Sequence, residues 1–151
     1  MDNKKVRKRE TIRAIKFGLF SASAGIIQAL TFTITNEFTN WSYWPCYLLS
    51  VILSTLWNFT HNRKYTFKAA NNVGIAMLKV FAFYCVFTPV TTIGGNYFAE
   101  NLGVNEYIVA GCSMALNLVC EFLYDKYFVY RNALDTNALA KRQREAEEAK
   151  A

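Results

Sequence analysis

Eight polar residues recur at intervals of four inside two otherwise apolar stretches. They are Ser50, Ser54, Asn58 and Asn62, then Ser113, Asn117, Glu121 and Asp125. A spacing of four aligns each set along one face of a helix. Hydroxyls and amides placed this way can bond across helices at about 0.6–2 kcal/mol per contact in a membrane, and that role suffices for the serines. The longer side chains, Asn58, Asn62, Asn117, Glu121 and Asp125, can also line a polar path along the stripe. Glu121 stands apart, because a carboxylate toward a bilayer interior costs up to about 3 kcal/mol and calls for a partner or a task. Three roles fit it: a salt bridge with Arg13, Lys16, Lys79 or Arg63, an acceptor for sugar hydroxyls, or a group that changes protonation during transport.

A second chemistry is carried by bases. Arg13, Lys16, Arg63, Lys64, Lys79 and Lys126 gather at one end of the apolar segments. Arginine offers phosphate two parallel N–H donors and lysine a compact charge, so the six suit a phosphate at the inner headgroup plane. Simple anchoring of topology is the competing role for each base alone. No catalytic site is legible. The single histidine, His61, reads as a headgroup contact, and no Gly-rich phosphate loop, metal cluster or nucleophile–base pair is present. The expectation is a chain that is not an enzyme, with no catalytic or metal-binding residue and no cofactor. Cys46, Cys85, Cys112 and Cys120 lack metal-ligand spacing and read as small packing residues.

The elements that must position these groups follow from the charge pattern. Hydrophobic residues make up 53% of the 151 and aromatics 16%. Mean hydropathy is nevertheless only +0.09, because charge is confined to short stretches. Segments 17–36, 38–62 and 80–99 carry no Lys, Arg, Asp or Glu, and a fourth runs from 107 to 120. A bilayer core takes roughly 20 apolar residues per helix, which predicts an all-α integral membrane protein with four transmembrane helices. Their expected spans are 13–35, 45–63, 77–99 and 106–126. Pro45 suits the first turn of the second helix, and Pro89 with Gly94 and Gly95 predicts a break in the third.

All 17 Lys and Arg residues fall at 1–16, 63–79 and from 126 onward, whereas the two remaining loops carry Glu37, Glu100 and Glu106. This positive-inside pattern places both termini in the cytoplasm, on a multi-pass protein of the cell membrane. Lys4, Lys5, Arg7, Lys8 and Arg9 serve topology and anionic lipid, which explains them better than nucleic acid does. A cleaved signal peptide is disfavoured by the length of the first apolar run and the lack of a small-x-small site. Trp41, Tyr43 and Trp44 outside, and Trp57, Tyr65, Phe67, Tyr127, Phe128 and Tyr130 inside, read as interfacial aromatic belts.

The segments form two copies of one unit. An offset of 63 pairs Ile12 with Ile75, Lys16 with Lys79, Phe20 with Phe83, Glu37 with Glu100, Ser50 with Ser113 and Phe59 with Phe122. Each copy opens on a base, turns at a Glu and closes on a basic-aromatic motif. The expected organisation is a basic arm over 1–12, two tandem two-helix repeats over 13–131, and a charged tail over 132–151, a solvated helix or frayed end. Repeats of even helix number share one orientation, so their polar stripes are expected to converge near the bundle axis.

The closing motifs are Asn58-Phe59 with Asn62-Arg63-Lys64-Tyr65-Thr66-Phe67, and Lys126-Tyr127-Phe128-Val129-Tyr130-Arg131. Recurring at the ends of the second and fourth helices, they make residues 12–131 resemble a GtrA-like protein. The second motif carries Glu121 where the first carries Asn58. The resemblance implies translocation of a polyprenyl-phosphate-linked sugar, such as undecaprenyl-phosphate-glucose, for cell-surface polysaccharide synthesis or modification. It also implies a separate glycosyltransferase as partner beside membrane lipid; the size of the bundle leaves a monomer or a homo-oligomer open, and the placement of the charge argues against nucleic acid. The alternative it implies is a non-transporting anchor or recruiter of that transferase. A small proton-coupled cation exporter fits less well, since such proteins resemble dimers with a carboxylate in the first helix, and 17–36 has none.

Overall fold

Long apolar runs must satisfy their backbone hydrogen bonds internally, which favours helix, and the described residues contain helices and no strand. The computed structural model describes residues 3–41 and 43–149. Residues 1–2 of the predicted arm and 150–151 of the tail lie outside that set, as do the side chains of Tyr43, Trp44 and Glu106. The elements in order are α1 (Asn3–Phe38), α2 (Tyr43–His61), α3 (Val73–Asn96), α4 (Glu106–Tyr124) and α5 (Ala138–Glu148). Wider π-helical turns occupy Asn62–Thr66, Tyr97–Asn101 and Asp125–Val129.

The chain forms two units, residues 1–69 with 135–151, and residues 70–134. In the first, α1 packs against α2, and α5 docks on the loop after α2. In the second, α3 packs against α4. Each unit thus contains one of the two hairpins expected from the offset of 63.

Burial is inverted relative to a protein folded in water. Ser50, Ser54, Asn62, Thr66, Glu121 and Asp125 are buried, whereas Ile15, Leu19, Ile26, Leu30 and Ile34 of α1 and Leu78, Phe81, Val86, Val90 and Ile93 of α3 are exposed. Apolar surface on this scale is stable against acyl chains, not against water. Two helices, residues 4–38 and 73–95, have the length and apolarity to cross a bilayer. The other two hairpin helices, α2 and α4, are 19 residues each, about 28 Å at 1.5 Å per residue.

Local departures from the sequence-based expectation have physical causes. The basic arm is helical from Asn3 and continuous with α1, because strong helix formers such as Lys, Arg and Glu propagate the helix outward. At 36 residues α1 is about 54 Å long, well beyond a hydrocarbon core of about 30 Å. Pro89 lies inside α3, which runs unbroken through Gly94 and Gly95; the irregularity comes later, in the turn Tyr97–Asn101. The tail resolves into α5, capped by the Asn137 side chain accepting from the Ala140 N–H. It is tethered by Arg9–Glu147 at 2.6 Å and a Lys68–Gln143 hydrogen bond.

Two of the predicted belt aromatics are core residues instead. Phe67 and Tyr130, themselves 63 apart, are fully buried, while Trp57, Tyr65, Tyr127 and Phe128 are exposed. Phe67 sits edge-on to buried Phe17 with ring centroids 6.0 Å apart. Truncating a buried Phe leaves a cavity costing about 3–5 kcal/mol. Phe67→Ala is therefore expected to lower the thermal unfolding temperature in detergent sharply, with Phe128→Ala nearly neutral; equal effects would contradict this packing.

Candidate functional site

Each hairpin ends on the same device. After α2 the backbone widens, so the Phe67 N–H reaches the Asn62 carbonyl at 2.9 Å; after α4 the Tyr130 N–H reaches the Asp125 carbonyl at 2.8 Å. Both are i to i+5 bonds and both recur at an offset of 63. Such π turns insert a residue into the helical spiral and are frequent at functional sites. Here each turn begins with the last member of a polar stripe, Asn62 or Asp125, and swings its aromatic stretch against the hairpin.

In the first unit the stripe of α2 is turned toward α1 and forms a neutral chain. Asn58 Oδ1 accepts from Asn62 Nδ2 at 2.7 Å and from Ser21 Oγ at 3.3 Å, and Asn62 Oδ1 accepts from Thr66 Oγ1 at 2.7 Å. Ser54 donates to the Val51 carbonyl at 3.0 Å, with Gln28 Oε1 of α1 at 3.5 Å.

The second unit repeats the geometry with different chemistry. Tyr84 of α3 shares side-chain hydrogen bonds with Glu121 and Asn117 of α4. Tyr84 stands where the offset of 63 places Ser21, and Glu121 where it places Asn58, so the same two helix positions meet in both hairpins. Glu121 and Asp125 are each 4% exposed. Among the described residues neither carboxyl forms an ion pair, so of the three roles open to Glu121 the salt bridge is not the one seen there. The Oδ1 atoms of Asn117 and Asp125 are buried without a hydrogen-bond partner.

Beside each stripe runs a ladder of rings. Phe20, His61 and Tyr65 lie at centroid separations of 5.4 and 5.9 Å, and Phe83, Tyr124 and Phe128 at 5.1 and 5.0 Å. These triplets also correspond at an offset of 63. His61 stacks on Trp57 at 3.9 Å, and its Nδ1 lies 2.9 Å from the Trp57 carbonyl, which fixes the ring inside the ladder.

The six predicted phosphate ligands divide between the units. Arg13, Lys16, Arg63 and Lys64 belong to the first, Lys79 and Lys126 to the second. Three stand over aromatic faces: Lys64 on Tyr65 at 5.1 Å, Lys79 on Phe128 at 5.1 Å and Lys126 on Tyr127 at 4.7 Å. Cation–π contact of this kind is worth about 0.5–1 kcal/mol at an exposed site. Arg13 differs. It is buried, donating to Glu10 at 2.6 Å, to Asp135 at 2.7 Å and to the Thr66 carbonyl at 3.4 Å. Its guanidinium already holds two carboxylates, so a phosphate would have to displace one.

Four contributors escaped the sequence reading. Tyr84 and Ser21 were detectable in principle, as a pair at the repeat offset. Lys68, the base directly after Phe67 of the first motif, sits at φ 48°, and Asp135 at φ 54°. The Asp135 N–H donates to the Phe67 carbonyl, and those of Thr136 and Asn137 to the Lys68 carbonyl, at 2.9–3.0 Å. Burial draws the Lys68 pKa below the ordinary lysine value; Asp135 opposes the shift, and Lys16, Arg13 and Arg9 add to it. Lys68 thus lies within electrostatic reach of three other bases of the first unit and of Asp135.

The GtrA/DPMS transmembrane domain matches residues 16–130, most of the chain, and spans both hairpins. The chain belongs to this family. Neither a curated protein nor a solved structure matches it. Membership makes it a membrane protein involved in handling polyprenyl-phosphate sugars, and the match ends at Tyr130, the buried aromatic closing the second π turn.

In this GtrA/DPMS chain α5 lies beyond the matched region, so its attachment through Asp135 is separable. Asp135 is partly exposed, which limits its pair with Arg13 to about 1–2 kcal/mol. Asp135→Asn is expected to lower the unfolding temperature by a few degrees and to speed proteolysis between 132 and 138. Unchanged cleavage would show that the tail is held without this pair.

Proposed function

We propose that the protein carries a polyprenyl-phosphate-linked sugar across the cytoplasmic membrane, with four transmembrane helices and both termini in the cytoplasm. The observation that carries the reading is the polar stripe buried in each hairpin, ending on a π turn rich in bases and aromatics. Burial of amides and carboxyls within a hydrophobic exterior supplies a polar path where lipid supplies none. The prenyl chain needs no such path, since the exposed Ile, Leu and Val surface is an ordinary lipid boundary.

Each set of residues then has a part. In each unit, bases held on aromatic faces meet a phosphate at the inner headgroup plane: Lys64, with Arg63 and Lys16, in the first, and Lys79 and Lys126 in the second. Asn58, Asn62 and Asn117 exchange hydrogen bonds with sugar hydroxyls as these leave water, and Glu121 and Asp125 extend the acceptor set. The ladders Phe20–His61–Tyr65 and Phe83–Tyr124–Phe128 give apolar ring faces against which a pyranose can rest. No bond is made or broken: the chain is a carrier, and a separate glycosyltransferase supplies the loaded lipid.

Reconstitution tests this directly. Liposomes containing the protein are expected to move fluorescent polyprenyl-phosphate-sugar at least about tenfold faster than empty ones, with Asn58→Ala together with Asn117→Ala returning the rate toward background. Cysteine labelling at both ends should place them on the cytoplasmic face. If loaded and empty liposomes behave alike, while charge reversal at Lys64, Lys68 and Lys79 abolishes co-purification of a glycosyltransferase, the chain is a recruiter instead.

A further inference from the structure

The two hairpins share a geometry but not a charge. Where the first unit places the neutral pair Asn58 and Asn62, the second places Glu121 on α4 and Asp125 one turn later, at the start of the π turn. Both carboxyls are buried, and among the described residues no cation pairs with either. Their surroundings are polar but uncharged: Tyr84 bonds Glu121 and Asn117. Asp125 Oδ1 and Asn117 Oδ1 are acceptors with nothing to accept.

Several charged and phenolic groups of this unit have contacts of their own or lie away from the pair. The Tyr124 hydroxyl donates to the Lys79 carbonyl at 3.1 Å, and the Lys79 ammonium lies on the Phe128 ring, 3.4 Å from the Phe128 carbonyl. Lys126 stands over Tyr127 and donates to its hydroxyl at 3.2 Å. Arg131 is exposed beyond the turn, and Tyr97 and Glu100 lie in the turn at the other end of α3.

Two carboxylates one helical turn apart, in a medium of low dielectric and without a counter-ion among the described residues, repel each other and forfeit their hydration. One small cation relieves both penalties. Two carboxyls one turn apart, with a phenol and an amide beside them, suit the smallest cation of all, which bonds to a single carboxyl oxygen and needs no coordination shell. We propose that Glu121 and Asp125 form a proton-binding site beneath the Tyr84 hydroxyl, loaded and unloaded as the hairpin moves. One carboxylate gains a proton from the aqueous side and returns it on the other; nothing else is consumed. The proton site stands on this geometry alone, and only its part in a transport cycle rests on the translocation reading.

Infrared spectroscopy of the full chain in lipid nanodiscs tests the site without any substrate. At neutral pH the wild type is expected to show a protonated-carboxyl C=O band that weakens in Glu121→Gln or Asp125→Asn and disappears in the double variant. An identical band in the double variant, or none in the wild type, overturns the proposal. Asp125→Asn is the conservative control, since it preserves shape should Glu121→Gln fold poorly.

Transport of labelled polyprenyl-phosphate-sugar in proteoliposomes then reads the coupling. A pH gradient should speed the wild type at least about threefold and leave the double variant unaffected. Movement that ignores the pH gradient overturns the coupling while the carrier reading stands, and a response to a sodium gradient alone replaces the proton by a metal cation. If nothing moves in any vesicle, the carrier reading fails, and the infrared bands still decide whether the proton site exists.

Discussion

A polar group surrounded by acyl chains has no water to accept its hydrogen bonds, so it must find every partner inside the protein. That constraint organises both hairpins. In the first, the amides and hydroxyls of α2 close on one another and on Ser21 of α1, so the chain Ser21–Asn58–Asn62–Thr66 is nearly self-sufficient. The π turns obey the same rule at the backbone level. Widening the last turn gives the Asn62 and Asp125 carbonyls new donors in the Phe67 and Tyr130 N–H groups, where an α-helix would have left its terminal carbonyls bare. Because those donors belong to fully buried aromatics, satisfying the backbone also seats the ring that closes the hairpin.

The repeat offset was legible in sequence, and it survives in three independent kinds of contact: the helix-to-helix pairs Ser21–Asn58 and Tyr84–Glu121, the two π turns, and the two ring ladders. Sequence identity at that offset is sparse, yet position is conserved where type is not. His61 and Tyr124 share neither charge nor size class but occupy the same rung. The stripes were legible for the same reason, since a period of four in an apolar run has few structural meanings.

What sequence did not reveal depends on contacts between residues far apart in the chain. Arg13 meets Asp135 across 122 positions, and no local pattern marks Asp135 as anything but a polar residue in a charged tail. The same applies to Asn137, whose side chain caps α5 and also donates to the Lys64 carbonyl at 2.9 Å. Phe67 and Tyr130 were misplaced because an aromatic beside a basic stretch at a helix end reads as an interface anchor, and only the π turn rotates it inward. Pro89 stays within α3 because neighbouring protein and a tolerant backbone can re-satisfy the one carbonyl it strands in a membrane helix.

Gene duplication would give each hairpin the same polar interior, and the neutral version is the one that satisfies itself. The acidic version does not: it replaces two amides, each donor and acceptor, with two groups that when ionised only accept. In a purely structural bundle that exchange costs stability and returns nothing, since amides would hold the helices together without desolvating charge. The tyrosine opposite Glu121, where the first hairpin has a serine, brings a hydroxyl within reach of the carboxyl that a shorter side chain would not. The asymmetry is therefore concentrated on one task, keeping an otherwise unstable pair of acids inside the second hairpin. A pair so held gains most from a partner that arrives and leaves, which is the behaviour a moving site requires and a static scaffold does not.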